Sequence, residues 1–144
     1  VQEHIDDALK GGASLLTGGV AHARGGNFLY PTILTDVSRD ALLMREETFG
    51  PVAPLIRFDS EKDAIALAND TPFGLASYFY TENLSRSWRV AEALDFGIVG
   101  LNEGIISSEV APFGGVKESG IGREGSKYGI DDYVEIKYLC VGIN

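Results

Sequence analysis

Three segments of the chain carry side chains whose type and spacing can do chemistry. In Met44-Arg45-Glu46-Glu47-Thr48-Phe49-Gly50-Pro51, the Glu47 carboxylate offers two oxygens in one plane, a match for two adjacent sugar hydroxyls. Phe49, two residues on, can pack against a flat ring, and Gly50-Pro51 then turns the chain onward. In the segment from Asn102 to Ser108, Ser107 and Ser108 supply small donors that could line a pocket for a polar substrate. In Pro112-Phe113-Gly114-Gly115-Val116-Lys117-Glu118-Ser119-Gly120, glycines surround a lysine, as they do in loops that bind phosphate.

Each segment also has a plainer reading. The first is a charged turn with a buried Phe. The second is a solvated loop. The third is a glycine-rich structural turn, since it does not match G-x-x-x-x-G-K-[ST] and lacks the strand-to-helix context of G-x-G-x-x-G. Among single residues, Cys140 lies in an apolar, strand-like stretch and reads as a buried structural thiol with nothing near it to activate a nucleophile. Being the only cysteine, it rules out an intrachain disulfide and gives no basis for a cysteine zinc site. His4 and His22 stand far apart and receive no role, Trp88 is expected in the core, and no metal ligands are assigned.

The elements that must position these segments follow from periodicity. A helix is expected over residues 3–9, with Ile5, Ala8 and Leu9 on one face and Gly11-Gly12 ending it. Ser14 to Thr17 reads as a short strand, Gly18-Gly19 as a turn and His22 to Asn27 as an exposed loop, before the apolar run Ile33-Leu34. Val52 to Phe58 is strand-like. Ser60, with Asp63 three residues later, forms a capping-box pattern for a helix whose apolar face is Ala64, Ile65 and Ala68. After a turn over 69–74, Ser77 to Tyr80 is the next strand. Leu84, Trp88, Ala91 and Leu94 follow at helical spacing, Gly97 stands where a C-cap glycine belongs, and Ile98 to Leu101 is a third strand. This β-α-β-α-β alternation predicts an α/β fold: a parallel sheet with helices packed on it and functional loops at the carboxyl ends of the strands. The glycine-rich stretch from Pro112 to Gly125 should be compact and irregular, its backbone packing closely. Tyr133 to Val141 alternates, with Val134, Ile136 and Cys140 opposite Glu135 and Lys137, and predicts a last strand that adds to a sheet of this chain or of another subunit.

With 144 residues, 44% of them hydrophobic and 23% charged, the chain has the makings of one ordinary globular unit or part of one. No stretch approaches the roughly 18 apolar residues of a membrane span, and residues 1–10 look like an amphipathic helix instead of a secretion signal. A net charge of -9 argues against nucleic acid as a partner, because phosphate binding needs clustered Lys and Arg. Sparse cysteine fits a reducing, cytoplasmic setting. The lack of an initiator Met suggests that the start has been cut.

Together these segments resemble the aldehyde dehydrogenase superfamily. Glu47-Thr48-Phe49-Gly50-Pro51 is similar to its Glu-x-Phe-Gly-Pro motif, and Pro112-Phe113-Gly114-Gly115-x-Lys117-x-Ser119-Gly120, continued by Gly122-Arg123-Glu124-Gly125, to its C-terminal Pro-Phe-Gly-Gly motif. Thr17-Gly18-Gly19 and Pro31-Thr32-Ile33-Leu34 fall in the same order, with Tyr30 where the family usually has Glu. Asn102-Glu103-Gly104-Ile105-Ile106-Ser107-Ser108, the stretch from Ser126 to Tyr133 and the ending Lys137-Tyr138-Leu139-Cys140 resemble the succinate-semialdehyde branch.

The resemblance implies a C-terminal part of such an enzyme: residues 1–130 within the catalytic domain and 131–144 the tail of the oligomerisation region. It implies oxidation of succinate semialdehyde to succinate. A cysteine thiolate attacks the aldehyde, hydride passes to a nicotinamide, and water activated by a glutamate releases the acid from the thioester. The nucleophilic cysteine, the base and the dinucleotide-binding domain would all precede this chain, so no catalytic residue is assigned here and the chain alone is expected to be inactive. The cofactor would be NAD or NADP, bound mainly by the missing domain. Carried over by motif, Glu47 would hold the nicotinamide ribose and Phe49 would pack beside the nicotinamide. Phe113 would wall the aldehyde tunnel, and Ser107 would bond the distal carboxylate of a small aldehyde, with upstream arginines supplying charge. A homo-oligomer, dimer or tetramer, would be the working form, with no nucleic acid and no membrane as partner. Other readings are an aldehyde dehydrogenase for a different aldehyde and a stand-alone assembly module without catalysis.

Overall fold

In the computed structural model, which describes residues 1–143, the first helix, α1, spans Gln2–Lys10 and ends where Gly12 takes φ +99°. Its Ile5 and Ala8 are fully buried. β1 (Ser14–Thr17) pairs antiparallel with β2 (Thr32–Thr35), and β2 pairs in parallel with β3 (Val52–Leu55). Between β1 and β2 the chain makes the expected glycine turn and an exposed loop, closed by a bridge between Ala21 and Leu29. Gly18 is needed there because a Cβ would overlap the Pro31 carbonyl oxygen. The buried Thr32 hydroxyl fastens this corner, donating to the Tyr30 carbonyl and accepting from the Gly19 amide. A one-turn helix, α2 (Leu42–Arg45), lies between β2 and β3 and has no counterpart in the sequence expectations. The core of this unit gathers Ala8, Ala13, Leu34, Val37 and Ala41, with Val52 and Ile56 packed against it.

α3 (Glu61–Asn69) begins as the capping pattern requires: the Ser60 hydroxyl accepts from the Asp63 amide at 3.0 Å. It runs from the first compact unit, Val1–Ala64, into the second, Ile65–Asn144. In the second unit β4 (Ala76–Phe79) pairs in parallel with β5 (Ile98–Leu101), and α4 (Leu84–Ala93) connects them in a βαβ unit. α4 is capped by Asn83, whose side chain accepts from the Arg86 amide. The parallel pairing expected from the alternation is therefore present, but it is shared between two sheets: β3 joins β2, and β4 joins β5. Strand-helix-strand alternation marks parallel neighbours without saying which consecutive strands become neighbours.

Three expectations about single positions and one about a strand change. Gly97 is not the C-cap of α4, because that helix closes at Leu94 in extended conformation. Gly97 is required for a different reason: a Cβ there would overlap the Gly114 carbonyl oxygen. Trp88 is 66% exposed, so the apolar stripe of α4 is only partly covered within the chain. Cys140 is exposed, not a buried thiol. From Val134 onward the described residues form no strand and pair with none, so the expected last strand is absent from the sheets of this chain. Tyr133 closes a 3-10 turn instead of opening a strand, and alternation of apolar residues does not by itself supply a partner edge. Among the described residues, no helix is long and apolar enough to cross a membrane.

Leu34, fully buried in the first unit's core, should be the residue on which that core depends. Leu34→Ala is expected to lower stability by about 2–5 kcal/mol in urea unfolding, whereas Leu16→Ala on exposed β1 should cost less than about 0.5 kcal/mol. Equal losses for the two would mean that the core lies elsewhere.

Candidate functional site

The segment that carries Glu47 and Phe49 leaves α2 at Glu46, whose backbone is already extended. Its start is held by the Glu46 amide donating to the Leu42 carbonyl, and its end by the Thr32 amide donating to the Pro51 carbonyl. Residues of α1 and its N-cap supply further grip on this segment and on the helix that leads into it. Asp7 accepts from the Leu42 amide at 2.8 Å. His4 meets the Thr48 hydroxyl through Nδ1 at 2.7 Å and the Glu46 carboxylate through Nε2 at 3.2 Å. Val1 packs so closely on Gly50 that a Cβ there would clash with it. Glu47 and Phe49 themselves point outward: the carboxylate has no hydrogen-bond partner among the described residues, and the ring is 87% exposed. The expectation of a buried Phe in a charged turn therefore fails, and a free carboxylate two residues from a bare ring remains.

The Ser107 loop begins at the carboxyl end of β5. Asn102, at φ +55°, forms a two-way clamp with Thr81 after β4: its Oδ1 accepts from the Thr81 amide and its Nδ2 donates to the Thr81 carbonyl, both at 2.8 Å. Asparagine tolerates this left-handed conformation better than most residues. The Glu103 carboxylate then turns back and accepts from the amides of Gly104 at 2.8 Å and Ile105 at 3.0 Å. Those two bonds, the Ile105 one foremost, hold its pKa below the ordinary glutamate range. Ser107 and Ser108 follow, both exposed.

The glycine-rich segment serves as structure. Phe113 and Glu124 form an antiparallel bridge, with mutual backbone bonds at 2.9 and 2.8 Å. The Arg123 guanidinium lies inside the loop, donating through Nη1 to the carbonyls of Gly115, Ile121 and Gly122. Lys117 donates to the carbonyls of Asn69 and Thr71, and the Ser119 hydroxyl accepts from the Gly74 amide. The lysine that suggested a phosphate loop thus closes a turn. Phe113 is half-buried beside Gly114.

The four residues singled out from the sequence fall into two pairs. Glu47 and Phe49 share one segment of the first unit. Ser107 and Phe113 share the stretch after β5 in the second, six positions apart and with no recorded hydrogen bond between them. Sequence reasoning missed His4, Asn102 and Arg123. An Asn directly after a strand could have flagged the clamp, whereas nothing near His4 in the sequence points to partners 42 and 44 residues away. Among the described residues, no three His, Cys, Asp or Glu side chains gather as metal ligands would.

The second unit thus carries a parallel βαβ unit followed by a glycine-locked Pro-Phe-Gly-Gly loop, and the first unit carries the outward-facing Glu47-Thr48-Phe49-Gly50-Pro51 segment. The chain belongs to the aldehyde dehydrogenase family, whose model matches residues 1–139. It is 66% identical over 143 residues to a succinate-semialdehyde dehydrogenase [NADP(+)] of Escherichia coli, covering 99% of this chain and 30% of that protein. It is 62% identical over 142 residues to a glutarate-semialdehyde dehydrogenase of Pseudomonas aeruginosa, covering 99% of this chain and 29% of that one. The crystal structure of succinate-semialdehyde dehydrogenase from Burkholderia pseudomallei superposes with a TM-score of 0.95 at 63% identity, covering 99% of this chain and 30% of that one. The chain thus spans about 30% of the length of the relatives it matches.

The lowered Glu103 pKa gives the Ser107 loop a defined acid response. The native state binds this proton less readily than the unfolded chain, so the carboxylate's contribution is fully present above the ordinary glutamate range and is lost as pH falls through the lower folded value. The Gly104 and Ile105 amide resonances should therefore shift together, with a midpoint below that range. A midpoint within it would mean that the turn is not held in solution.

Proposed function

We propose that this chain works as the C-terminal part of an NAD- or NADP-dependent aldehyde dehydrogenase that oxidises succinate semialdehyde to succinate. The observation that carries the reading is the match along nearly the whole chain, 66% identical to a succinate-semialdehyde dehydrogenase. In this reading residues 1–130 are part of the catalytic domain and 131–144 the oligomerisation tail. The dinucleotide-binding domain, the nucleophilic cysteine and the general base lie outside these residues. Cys140 does not take the nucleophile's place: it sits in the exposed tail, and its recorded neighbour is the Tyr138 hydroxyl, whose pKa is raised chiefly by their hydrogen bond. The residues present fit a bound dinucleotide, because the unpartnered Glu47 carboxylate can accept from both ribose hydroxyls while Phe49 offers a bare face to a flat ring. When bound, the nicotinamide supplies a hydride acceptor. This chain's residues then hold and orient: Glu47 the ribose, Phe49 the ring, Phe113 the wall of the aldehyde channel, and Ser107 the far end of the substrate.

The same loop supports a second, coarser reading, an aldehyde dehydrogenase for a neighbouring carboxylate-bearing aldehyde such as the glutarate semialdehyde named for the Pseudomonas relative. Both substrates carry a carboxylate, and a hydroxyl at Ser107 suits either. In the complete enzyme, Ser107→Ala should raise KM for succinate semialdehyde about ten- to a hundredfold while leaving a neutral aldehyde of similar length nearly unchanged, the value of one hydrogen bond to a charged group. Equal changes for both would remove Ser107 from the carboxylate end.

The assembly proposed is a homo-oligomer, dimer or tetramer. Ile136, 99% exposed, and Tyr138 lie on a stretch outside any helix or strand, with no backbone hydrogen bonds among the described residues, suited to adding a strand to a second copy. Ile136→Lys should shift the complete protein toward smaller species in light scattering at micromolar concentration. An unchanged mass down to nanomolar protein would place the subunit contact elsewhere.

A further inference from the structure

The Glu46–Gly50 segment has an unusual support. The backbone groups of Glu47 and Phe49 make no recorded hydrogen bond among the described residues, so no ladder fixes which way their side chains point. What fixes it is a single imidazole. His4, buried on α1, reaches Glu46 through one ring nitrogen and Thr48 through the other. A carboxylate can only accept, so Nε2 donates to Glu46; in the neutral ring Nδ1 then accepts from the Thr48 hydroxyl. The two anchored residues are two positions apart on a segment that starts extended, so they share one side of the chain, and Glu47 and Phe49 fall on the other. Val1, the residue that caps α1, and Asp7 stand three positions either side of His4; Val1 covers the segment's end at Gly50 and Asp7 holds the start of α2, which leads into it, at Leu42.

We propose that His4 is a positioning residue for the dinucleotide: by clamping Glu46 and Thr48 it sets the outward orientation of Glu47 and Phe49. It touches neither cofactor nor substrate. This rests on the reading of Glu47 and Phe49 as cofactor contacts. The backbone of Glu47 and Phe49 is unpaired among the described residues, so without the clamp Glu47 has more orientations open to it and must be ordered at the moment of binding.

The test uses the complete protein, with NAD and NADP as probes in equilibrium titrations. His4→Phe keeps a ring of similar size and removes both hydrogen bonds. It should raise the dinucleotide Kd about five- to tenfold, while KM for the aldehyde at saturating cofactor stays within about twofold. Hydrogen exchange of residues 46–50 in the cofactor-free protein should speed up. Thr48→Val removes one bond and should raise Kd about two- to threefold, and in the His4→Phe background it should add nothing further, because both act through one clamp. A lower melting temperature with an unchanged Kd would make His4 a plain packing residue and overturn the proposal. Glu47→Gln separates the two layers of the argument. If it weakens dinucleotide binding while His4→Phe does not, only the positioning role falls. If it too leaves Kd unchanged, the cofactor reading of the segment falls and takes the positioning role with it. Should His4→Phe fail to fold, Thr48→Val alone decides, a raised Kd supporting the clamp and an unchanged one overturning it.

Discussion

Three stretches of backbone in the second unit meet where no side chain fits between them. The carbonyl of Gly74, just before β4, accepts from the amides of both Gly97, just before β5, and Val116, just after the Gly114-Gly115 pair. A Cβ on Gly97 would strike the Gly114 carbonyl, one on Gly114 the Gly122 carbonyl, and one on Gly74 the Val116 side chain and carbonyl. The consequence is geometric. The chain leaves the carboxyl end of β5, passes Ser107, and is brought back to the amino ends of the two strands. Phe113 enters that return immediately before the contact and so has little freedom of its own. Most of what is distinctive in the second unit, including the Lys117 and Arg123 bonds to carbonyls, closes around this crossing.

The first unit solves a comparable problem with different means. There the segment to be placed is exposed, and along it close glycine contact is used where Val1 covers Gly50. The rest is polar side chain to chain: Asp7 to the Leu42 amide, and His4 to Glu46 and Thr48. The difference suits what each loop presents. A half-buried ring such as Phe113 is set by backbone packing, whereas an exposed carboxylate must be set from its neighbours, because packing cannot reach it.

Local signals were legible in the sequence and long-range ones were not. β1 and β5 begin and end where alternation and turn residues place them, α1 to within a residue, and the Ser60–Asp63 cap is as read. These depend on neighbours in the chain. The sheet to which β3 belongs depends on β2, some twenty residues back, which the periodicity of β3 does not encode. Gly97 was assigned to the wrong cause for the same reason, since the atoms that demand a glycine there come from residue 114. Trp88 and Cys140 were expected inside because their surroundings are apolar, but an apolar stripe states only that something covers it, not that this chain does. Of the candidate site, residue types and order were readable, and orientation was not. The outward turn of Glu47 and Phe49 is decided by a histidine more than forty residues away.

The proposed substrate raises a question of charge that the structure sharpens. An acidic chain of net charge -9 repels a carboxylate at long range, so a site that takes one needs a local cation. The two basic residues nearest Phe113 in the sequence cannot serve as they stand. Lys117 is engaged with the Asn69 and Thr71 carbonyls, and Arg123 donates through one terminal nitrogen to three carbonyls of its own loop. Freeing either would leave carbonyls unpaired and loosen the crossing that sets Phe113. Ser107 can read the position of an acceptor oxygen but brings no charge. In the proposed enzyme the work therefore divides: this chain fixes the reach and direction of the substrate's far end, and the attraction that overcomes the acidic field is supplied from residues beyond these loops. Such a division lets the loop length around Ser107 tune which carboxylate-bearing aldehyde fits, without altering the charge that binds all of them.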